Sequence, residues 1–453
     1  MLKQRKYAML ISFAFSLIVF WSCSVTCLGA TNDMEKLIST FLRETKSEAV
    51  SVVTYDHGTV EYFGERNGLF QIGSMTKAFT GLAVQKLIHE GKLAPESRVS
   101  ELLPGFESYY HGEKDEITVK QLMTQMSGYT NNEKDYPSAK KGESLAGWTK
   151  RLSGKSLQSA PGEQYAYSNA NFNLLGAIIE EVSGMSYLEY MEREILTPLG
   201  LEHTYVGEPQ DGNVVQGSRL FFRHVVPYEV PVREGAIPAG YFYSNLEDMG
   251  RWMEIWLGTA DIPEDYQELI LEVKAQLGTE EGAYYGGWER FEDGVIGHSG
   301  GTANYSSRIT FSEKDGVGAC VLTNLNVAAS TDSLCNSLLK RLKGDEPGGI
   351  AGDVWTVFDK IFSALCVLFG GIFLICIKCR KRGMLIAVGT GAILLLVILT
   401  MLLSLIFGAG PFAILFGWAP WSLAAFYGIL LGCGILAIVR ALLFHKKEDG
   451  ENG

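Results

Sequence analysis

The sequence lacks the short motifs that hold metal ions or nucleotides in many enzymes. It contains no H-E-x-x-H, no glycine-rich phosphate loop and no pair of C-x-x-C motifs, so we expect neither a metal nor a cofactor. It is also poor in proline, with 13 Pro and 51 Gly among 453 residues, and 47% of the residues are hydrophobic. This composition excludes a collagen-like or wholly disordered chain, and the length allows about two or three domains.

Cysteine is scarce in the part of the chain that would fold in water. Of the eight cysteines, Cys23 and Cys27 belong to the first 30 residues and four lie in or beside the C-terminal apolar region, so only Cys320 and Cys335 remain between them. Two thiols make no disulfide framework, and Cys320 lies within the strand pattern GVGACVLTN, where a small buried side chain is expected. Cys376 and Cys379 form a single C-x-x-C without a second pair, so no metal site is predicted there.

Charge is absent from a long C-terminal stretch. No charged residue lies between Arg382 and Arg440, and a shorter charge-free run covers 361–377. We therefore predict three membrane spans, at about 354–377, 384–407 and 420–443. The basic residues cluster after the first and third spans, so by the positive-inside tendency those ends are cytoplasmic and the chain before 354 lies outside.

The N-terminus has the pattern of a secretory signal. Lys3, Arg5 and Lys6 precede an apolar run at 7–21, and small residues follow near position 30, where we expect cleavage. An uncleaved anchor or a lipid-modified Cys23 is the alternative.

Acidic residues dominate the predicted external part. Residues 31–352 hold 28 Lys and Arg against 46 Asp and Glu, a net charge of −18. Such a surface repels polyanions, so no nucleic acid partner is expected, and a neutral or cationic substrate is easier to attract. The alternative is that these charges only keep the domain soluble.

Hydropathy patterns predict an α/β lobe joined to a mostly helical lobe, with a cleft between them. The predicted strands are 49–55, 59–64, 294–297, 305–312 and 317–323, and the predicted helices include 75–90, 118–126, 171–182, 246–257 and 330–342. Because strands come from both ends of this region, we expect one sheet built from both ends around a helical middle.

Ser74 and Lys77 form an S-x-x-K tetrapeptide that opens a predicted helix. At this spacing the side chains lie about one turn apart on one face, so a desolvated lysine amine is able to accept the serine proton. The helix N-terminus also points backbone N–H groups at developing negative charge. A capping serine beside a solvated lysine is the structural alternative.

Two further motifs follow in order. Tyr167, Ser168 and Asn169 begin the helical pattern NANFNLLGAIIEEVSG, and GHSGG at 297–301 lies at the edge of a predicted strand. With the S-x-x-K, this order resembles the serine β-lactamase and penicillin-binding superfamily, in its class C β-lactamase-related branch. The resemblance covers about 45–340 and implies an α/β fold, with an antiparallel sheet flanked by helices plus a mostly helical lobe, before the three transmembrane helices.

The resemblance also implies roles for individual residues. Ser74 would be the nucleophile, Lys77 its activating partner and Tyr167 the general base and acid, with its phenolate favoured by nearby Lys77. The backbone N–H groups of Ser74 and Gly301 would form the oxyanion hole. The substrate-binding residues would be Asn169, His298, Ser299, Gly300 and Asn304.

His298 stands where many members of this superfamily have lysine. A histidine has a reference pKa near 6.5 and is largely neutral at pH 7, so it gives a weaker fixed cation for a β-lactam carboxylate. Efficient β-lactam hydrolysis is therefore not expected, whereas amide or ester cleavage is. A strand-end histidine with only a packing role is the alternative.

A narrower resemblance concerns the membrane-bound prodrug-activating peptidases of the colibactin-maturation type. It is carried by GSMTKAFTG, IPAGYFYSNLEDMGRWMEIWL and FGWAPWSLAAFYGILLG, together with the signal and the three spans. It implies removal of an N-acyl-D-Asn cap from a small peptide or N-acyl-peptide substrate. The alternatives are a cell-wall D-amino-acid peptidase or carboxypeptidase, an esterase, and a β-lactam-binding sensor.

The predicted organisation has five parts. They are a signal peptide at 1–30, a serine hydrolase domain at 31–345, a linker at 346–353, a three-helix transmembrane domain at 354–444 and a cytoplasmic tail at 445–453. The catalytic domain would face the periplasm or the cell exterior, while the spans contact membrane lipid.

Overall fold

The structure is a computed structural model that describes residues 33–132 and 136–451, with side chains as far as 443. The predicted signal segment at 1–30 lies outside the described residues. The chain divides into two compact units. The first contains 33–218 and Tyr228–Gly352, and the second contains Arg219–Pro227 and 353–451.

The strands among the described residues are β1 Val50–Asp56, β2 Thr59–Phe63, β3 Phe70–Gln71, β4 Ser108–Tyr110, β5 Glu113–Asp115, β6 Tyr205–Val206, β7 Ser218–Phe221, β8 His224–Pro227, β9 Phe242–Ser244, β10 Tyr284–Tyr285, β11 Trp288–Arg290, β12 Ile296–Gly301, β13 Ser306–Ser312 and β14 Val317–Thr323. The first unit is built on a seven-stranded sheet in the order β10-β11-β12-β13-β14-β1-β2, in which every neighbouring pair is antiparallel. β1 pairs with β14, with Val53 opposite Cys320, so the sheet does join both ends of the unit as the sequence predicts.

The described helices separate into the first unit and the apolar C-terminus. They are α1 Asp33–Thr45, α2 Thr76–His89, α3 Val99–Leu102, α4 Val119–Met123, α5 Leu145–Leu152, α6 Asn169–Ser183, α7 Tyr187–Met191, α8 Thr197–Leu199, α9 Ile237–Gly240, α10 Leu246–Leu257, α11 Glu264–Leu277, α12 Ala328–Leu342, α13 Val354–Lys378, α14 Arg382–Phe407 and α15 Trp421–Glu451. The helix predicted at 118–126 is shorter because Gln125 adopts a φ of 59°, which a right-handed helix does not allow.

Alternation along β13 explains how the sheet is covered on both faces. Thr310 points toward α12, where its hydroxyl lies 3.5 Å from the Cys335 thiol, whereas Phe311 packs against Trp288. Successive residues of a strand point to opposite faces, so one face meets α12 and the other meets the main core. Cys320 is fully buried in β14, as its strand pattern predicts.

An aromatic cluster holds helix α2 in place. Phe79 stacks on Trp252 of α10 with 4.1 Å between ring centroids, and Trp252 meets Trp256 edge to face at 5.5 Å. A Cβ at Gly81 would lie only 2.0 Å from the carbonyl oxygen of Gly286, so this close approach requires glycine. Packing of this kind fixes the helix whose first turn contains Lys77.

The second unit contains three helices that are long and apolar enough to cross a membrane. They cover Val354–Lys378, Arg382–Phe407 and Trp421–Leu443. These helices lie where the charge-free stretches predict spans.

The strand predicted at 294–297 begins two residues later and extends to Gly301, because β12 pairs with β13 along its whole length.

Candidate active site

Two close backbone approaches join the Ser74 turn to strand β12. Ser74 lies in a short 3₁₀ turn, Gly73–Met75, directly before α2. Gly73 has a φ of 53°, and a Cβ there would lie 2.6 Å from the backbone nitrogen of Gly301. A Cβ at Gly300 would lie 2.0 Å from the Ile72 carbonyl oxygen. Only glycine permits such contact, and it brings the Gly301 N–H beside the Ser74 turn.

Lys77 is fully buried and has three polar neighbours. Its Nζ lies 3.0 Å from Ser74 Oγ, 2.7 Å from Asn169 Oδ1 and 2.6 Å from the Ala239 carbonyl oxygen. The amide oxygen and the carbonyl oxygen only accept hydrogen bonds, so they take two N–H bonds of the amine. The remaining tetrahedral position of Nζ points toward Ser74 Oγ, and in a neutral amine it holds the nitrogen lone pair.

Burial lowers the pKa of the Lys77 ammonium well below its ordinary value. The physical cause is desolvation, which disfavours the charged form of a lysine. A neutral amine with two N–H bonds and one lone pair matches the three neighbours, with the serine hydroxyl donating to the nitrogen. The arrangement can therefore remove a proton from Ser74.

Tyr167, Ser168 and Asn169 stand at the N-terminus of α6, as the sequence predicts. Ser168 is the N-cap, and its hydroxyl accepts a hydrogen bond from the Ala170 backbone N–H. The Tyr167 ring centroid lies 4.9 Å from Lys77 Nζ. Capping thus begins the helix where the tyrosine and the asparagine both face Lys77.

Burial raises the pKa of Tyr167, and a hydrogen bond with Ser74 opposes that shift only in part. A phenolate in the free enzyme is therefore disfavoured, which differs from the expectation that Lys77 promotes it. Desolvation favours the neutral form of each group, so it lowers the pKa of Lys77 and raises that of Tyr167. Tyr167 is suited to donate a proton and Lys77 to accept one.

His298 is buried on β12, with 5% of its surface exposed. Its Nδ1 lies 2.7 Å from the Ser299 carbonyl oxygen, and its Nε2 lies 3.3 Å from the Tyr284 hydroxyl. Burial, reinforced by the positive charge of Lys77 when protonated, lowers the pKa of His298 to about 3. A neutral ring donates from Nδ1 and accepts at Nε2, so this position has no fixed positive charge.

Two residues predicted to bind substrate have their side chains engaged elsewhere in the fold. The Ser299 hydroxyl donates to Asp332 Oδ1 at 2.8 Å and accepts from Arg308 Nη1 at 2.6 Å. The Asn304 amide donates to the Tyr228 carbonyl oxygen and is 3% exposed. Gly300 contributes a close backbone approach rather than a side chain.

Sequence reasoning missed two participants in the site. Ala239 accepts from Lys77 through its carbonyl oxygen, and Tyr284 faces His298. The first acts through its backbone, which gives no residue-type signal. The second lies in the segment AYYGG, which matches none of the three motifs. Among the described residues, no group of His, Cys, Asp or Glu is arranged to hold a metal ion.

A family model for Beta-lactamase matches residues 34–341. The chain belongs to the beta-lactamase family. The match spans the whole sheet and all three motifs, so this beta-lactamase-family domain has the fold of the serine hydrolases in the β-lactamase and penicillin-binding superfamily. The fold predicted from the sequence is confirmed.

Two relatives are about one-third identical to the chain over the residues that align. "Protein flp" of Staphylococcus aureus (strain MRSA252) is 33% identical over 274 residues, which are 57% of this chain and 53% of that protein. A "Putative D-alanyl-D-alanine carboxypeptidase" of Escherichia coli (strain K12) is 32% identical over 149 residues, 30% of this chain and 33% of that protein. The chain thus spans about half the length, or less, of these relatives.

Solved structures agree on the fold. The octameric penicillin-binding protein homologue from Pyrococcus abyssi matches with a TM-score of 0.61 and 24% identity, over 73% of this chain and 80% of that one. A class C beta-lactamase matches with a TM-score of 0.59 and 18% identity, over 71% of this chain and all of the other.

Proposed function

We propose that the chain is a membrane-anchored serine amidase that cleaves the amide bond after an N-acyl-D-amino acid, through an acyl-enzyme on Ser74. The observation that carries the proposal is the surroundings of Lys77. The Asn169 amide oxygen and the Ala239 carbonyl oxygen accept hydrogen bonds from Lys77 Nζ, and Ser74 Oγ lies 3.0 Å from the same nitrogen. This is the arrangement that nucleophilic catalysis by serine requires of its base.

Acylation begins with attack of Ser74 Oγ on the substrate carbonyl carbon while its proton moves to Lys77 Nζ. The oxyanion that forms accepts hydrogen bonds from the backbone N–H groups of Ser74 and Gly301. The C–N bond then breaks, and the leaving amine takes the hydroxyl proton of Tyr167. The ammonium of Lys77 returns a proton to Tyr167, so both groups are neutral again.

Deacylation uses the same groups with water as the nucleophile. Lys77 accepts a proton from the water that attacks the ester, and the proton passes back to Ser74 Oγ as the acyl group leaves. Asn169 has its Oδ1 engaged by Lys77, which leaves its Nδ2 to donate to the substrate's acyl-side amide. No external acid or base is needed.

The finer part of the proposal is that the residue before the cleaved bond is D-Asn, capped by an N-acyl group. The resemblance to the colibactin-type peptidases supports it, as does the absence of a fixed cation at His298, whose lowered pKa keeps it neutral. A neutral site favours an uncharged side chain over the carboxylate of a penicillin. We place the active site outside the cytoplasm, because basic residues follow the first and third apolar helices.

A D-alanyl-D-alanine carboxypeptidase is the second candidate. The name of the Escherichia coli relative favours it, at 32% identity over part of the chain. A carboxypeptidase binds a substrate that ends in a carboxylate, so the two candidates differ in the charge of the leaving group. This difference can be measured directly.

The test uses purified full chain in detergent and four substrates. They are an N-acyl-D-Asn amide, its L-Asn enantiomer, an N-acyl-D-Ala-D-Ala peptide and a penicillin. We expect the D-Asn amide to be cleaved fastest, with the L-enantiomer slower by about 10² or more, since a mispositioned side chain leaves buried polar groups unpaired.

Mass spectrometry of the intact protein after treatment with a fluorophosphonate tests the nucleophile separately. One adduct is expected on the native chain and none on the Ser74→Ala variant. Equal rates on the two Asn enantiomers would contradict the D-selectivity. Fastest cleavage of the D-Ala-D-Ala peptide would favour the carboxypeptidase.

A further inference from the structure

The β7–β8 hairpin is part of the second unit, although it lies within the sequence of the first. Residues Arg219–Pro227 cluster with the apolar helices rather than with the sheet. Arg219 donates from Nη1 to the Phe416 carbonyl oxygen at 3.1 Å and from Nη2 to that of Leu415 at 3.2 Å. Its guanidinium carbon also lies 4.3 Å from the ring centroid of Trp421. The base of the hairpin is therefore fixed to the segment before α15 and to the first residue of that helix.

The tip of the hairpin lies beside the second turn of the apolar helix α13. The backbone N–H of Arg223 donates to Asp359 Oδ2 at 2.6 Å, and Asp359 is 1% exposed. Asp359 lies five residues after the start of α13, which corresponds to about 7 Å along the helix axis. Because α13 is one of the candidate membrane spans, the tip lies at a depth where the bilayer boundary is expected.

The turn at the tip has an unusual sequence for its backbone. Phe222 and Arg223 join the two strands with φ values of 50° and 63°. A two-residue turn with both φ values positive favours Asn-Gly, because residues with bulky side chains are strained there. The phenyl ring of Phe221 is 39% exposed and meets that of Phe222 edge to face at 4.7 Å. The tip therefore presents aromatic rings where conformation alone favours small polar residues.

Aromatic side chains gather at the same end of the second unit. Trp355 at the start of α13 stacks on Phe407 at the end of α14 at 5.2 Å, and Phe412 stacks on Phe416 at 6.1 Å. Phe412 is 76% exposed. The other end carries Lys378, Arg380, Lys381, Arg382 and Arg440. Aromatic residues at one end of membrane helices are typical of the bilayer interface.

We propose that the β7–β8 hairpin is a lipid-binding element whose aromatic tip enters the boundary between the phospholipid headgroups and the acyl chains. Phe221 and Phe222 would bury their rings about 5–10 Å into the leaflet, the depth at which interfacial apolar side chains lie. The anchors at Arg219 and Asp359 hold the tip at that depth beside the helices. The partner is bilayer phospholipid, and the contact is additional to the three spans themselves.

The test is photo-crosslinking of the full chain in vesicles of phosphatidylethanolamine and phosphatidylglycerol. A p-benzoylphenylalanine replaces Phe221 in one variant, Val367 in a second and Leu271 in a third. Val367 is 74% exposed near the middle of α13, and Leu271 is 64% exposed on α11 of the first unit. After illumination, mass spectrometry measures the fraction of each variant with one added phospholipid.

We expect lipid adducts at 221 and 367, with the yield at 221 at least about tenfold above that at 271. Thermal melting of each variant in detergent checks that the change leaves the fold intact. A yield at 221 no greater than at 271, with adducts still present at 367, would overturn the proposal. So would a crosslink from 221 to protein, whether to this chain or to a second copy, because another occupant would then cover the tip.

Discussion

The hydroxyl of Tyr284 lies 3.3 Å from Nε2 of His298, on the side of the ring opposite the Ser299 carbonyl oxygen. Tyr284 is also edge to face with Tyr167, at 6.2 Å between ring centroids. One buried phenol thus holds the neutral tautomer of His298 and packs against Tyr167. Tyr284 acts through these two residues, so it is a positioning residue.

Replacing Tyr284 by Phe keeps the ring packing but leaves the His298 lone pair buried without a donor. An unpaired buried group costs about 1–3 kcal/mol of folding free energy, which the His298 ring can relieve only by shifting. Because His298 lies beside Tyr167, with 6.0 Å between ring centroids, we expect that shift to lower kcat/KM about tenfold. The lost hydrogen bond stabilised the neutral imidazole, so the pKa of His298 rises and the fall is greater at pH 5 than at pH 8. Tyr165→Phe, at an exposed neighbouring tyrosine, is the control. An equal fall at both pH values would mean that the hydroxyl of Tyr284 does not influence the protonation of His298.

The amide oxygen of Asn169 accepts a hydrogen bond from Lys77 without placing a charge beside it. In an Asn169→Asp variant a carboxylate would face Nζ at the same place, 2.7 Å away in the native chain. A negative charge at that distance raises the pKa of a lysine by about 1–3 units. Because the free amine is the active form, the acid limb of kcat/KM should move to higher pH. Asn67→Asp adds the same charge at an exposed site and should leave the acid side of the pH profile of kcat/KM unchanged.

Protonation of His298 links stability to pH. The pKa of His298 is lowered to about 3 in the folded state, against about 6.5 when unfolded. Below pH 6.5 the unfolded chain binds a proton that the folded chain does not, so this group destabilises the fold as the pH falls toward 3. The loss is on the order of 2 kcal/mol between pH 6.5 and 4.5.

The His298→Gln variant removes this titration while keeping a neutral polar side chain. We therefore expect its melting temperature in detergent to fall less than that of the native chain as the pH is lowered from 6.5 to 4.5. His57→Gln, at an exposed turn histidine, should follow the native curve. Parallel curves for all three proteins would contradict a buried neutral His298.

Gly300 allows β12 to approach the Ser74 turn. A Cβ there would lie 2.0 Å from the Ile72 carbonyl oxygen and 2.2 Å from Ser307 Oγ, so Gly300→Ala must push the strand away. Displacing one oxyanion donor costs about 10²–10³ in kcat. Gly147→Ala, where the nearest atoms are 3.4 Å or more away, is the matched control and should retain activity. Full activity of Gly300→Ala would show that the Gly301 N–H is not needed.

Reporter fusions test the orientation of the membrane helices. Fusions after Gly349 and Ala409 should report an external position, and fusions after Arg382 and Lys447 a cytoplasmic one, because basic residues favour the cytoplasmic side. A cytoplasmic signal at Ala409 would mean that α14 does not cross the membrane.

Much of the fold could be predicted from local patterns. The charge-free stretches predict α13, α14 and α15 because a span needs about 20 apolar residues in a row, which is a property of the sequence alone. The S-x-x-K spacing likewise predicts that Ser74 and Lys77 lie together, since residues three apart are neighbours on one face of a helix turn. The hairpin of β1 and β2 and the strands near 305–323 follow from alternation and turn residues.

The rest required contacts between distant parts of the chain. The third neighbour of Lys77 is the Ala239 carbonyl oxygen, 162 residues away, and a backbone atom has no signature in the sequence. The lowered pKa values of Lys77 and His298 arise from burial, which depends on what packs around them. The β7–β8 hairpin joins the second unit because Arg219 and Arg223 meet residues that follow 350. Sequence spacing fixes what lies within one helix turn or one strand, whereas protonation and long-range contacts are decided only when the tertiary structure excludes water.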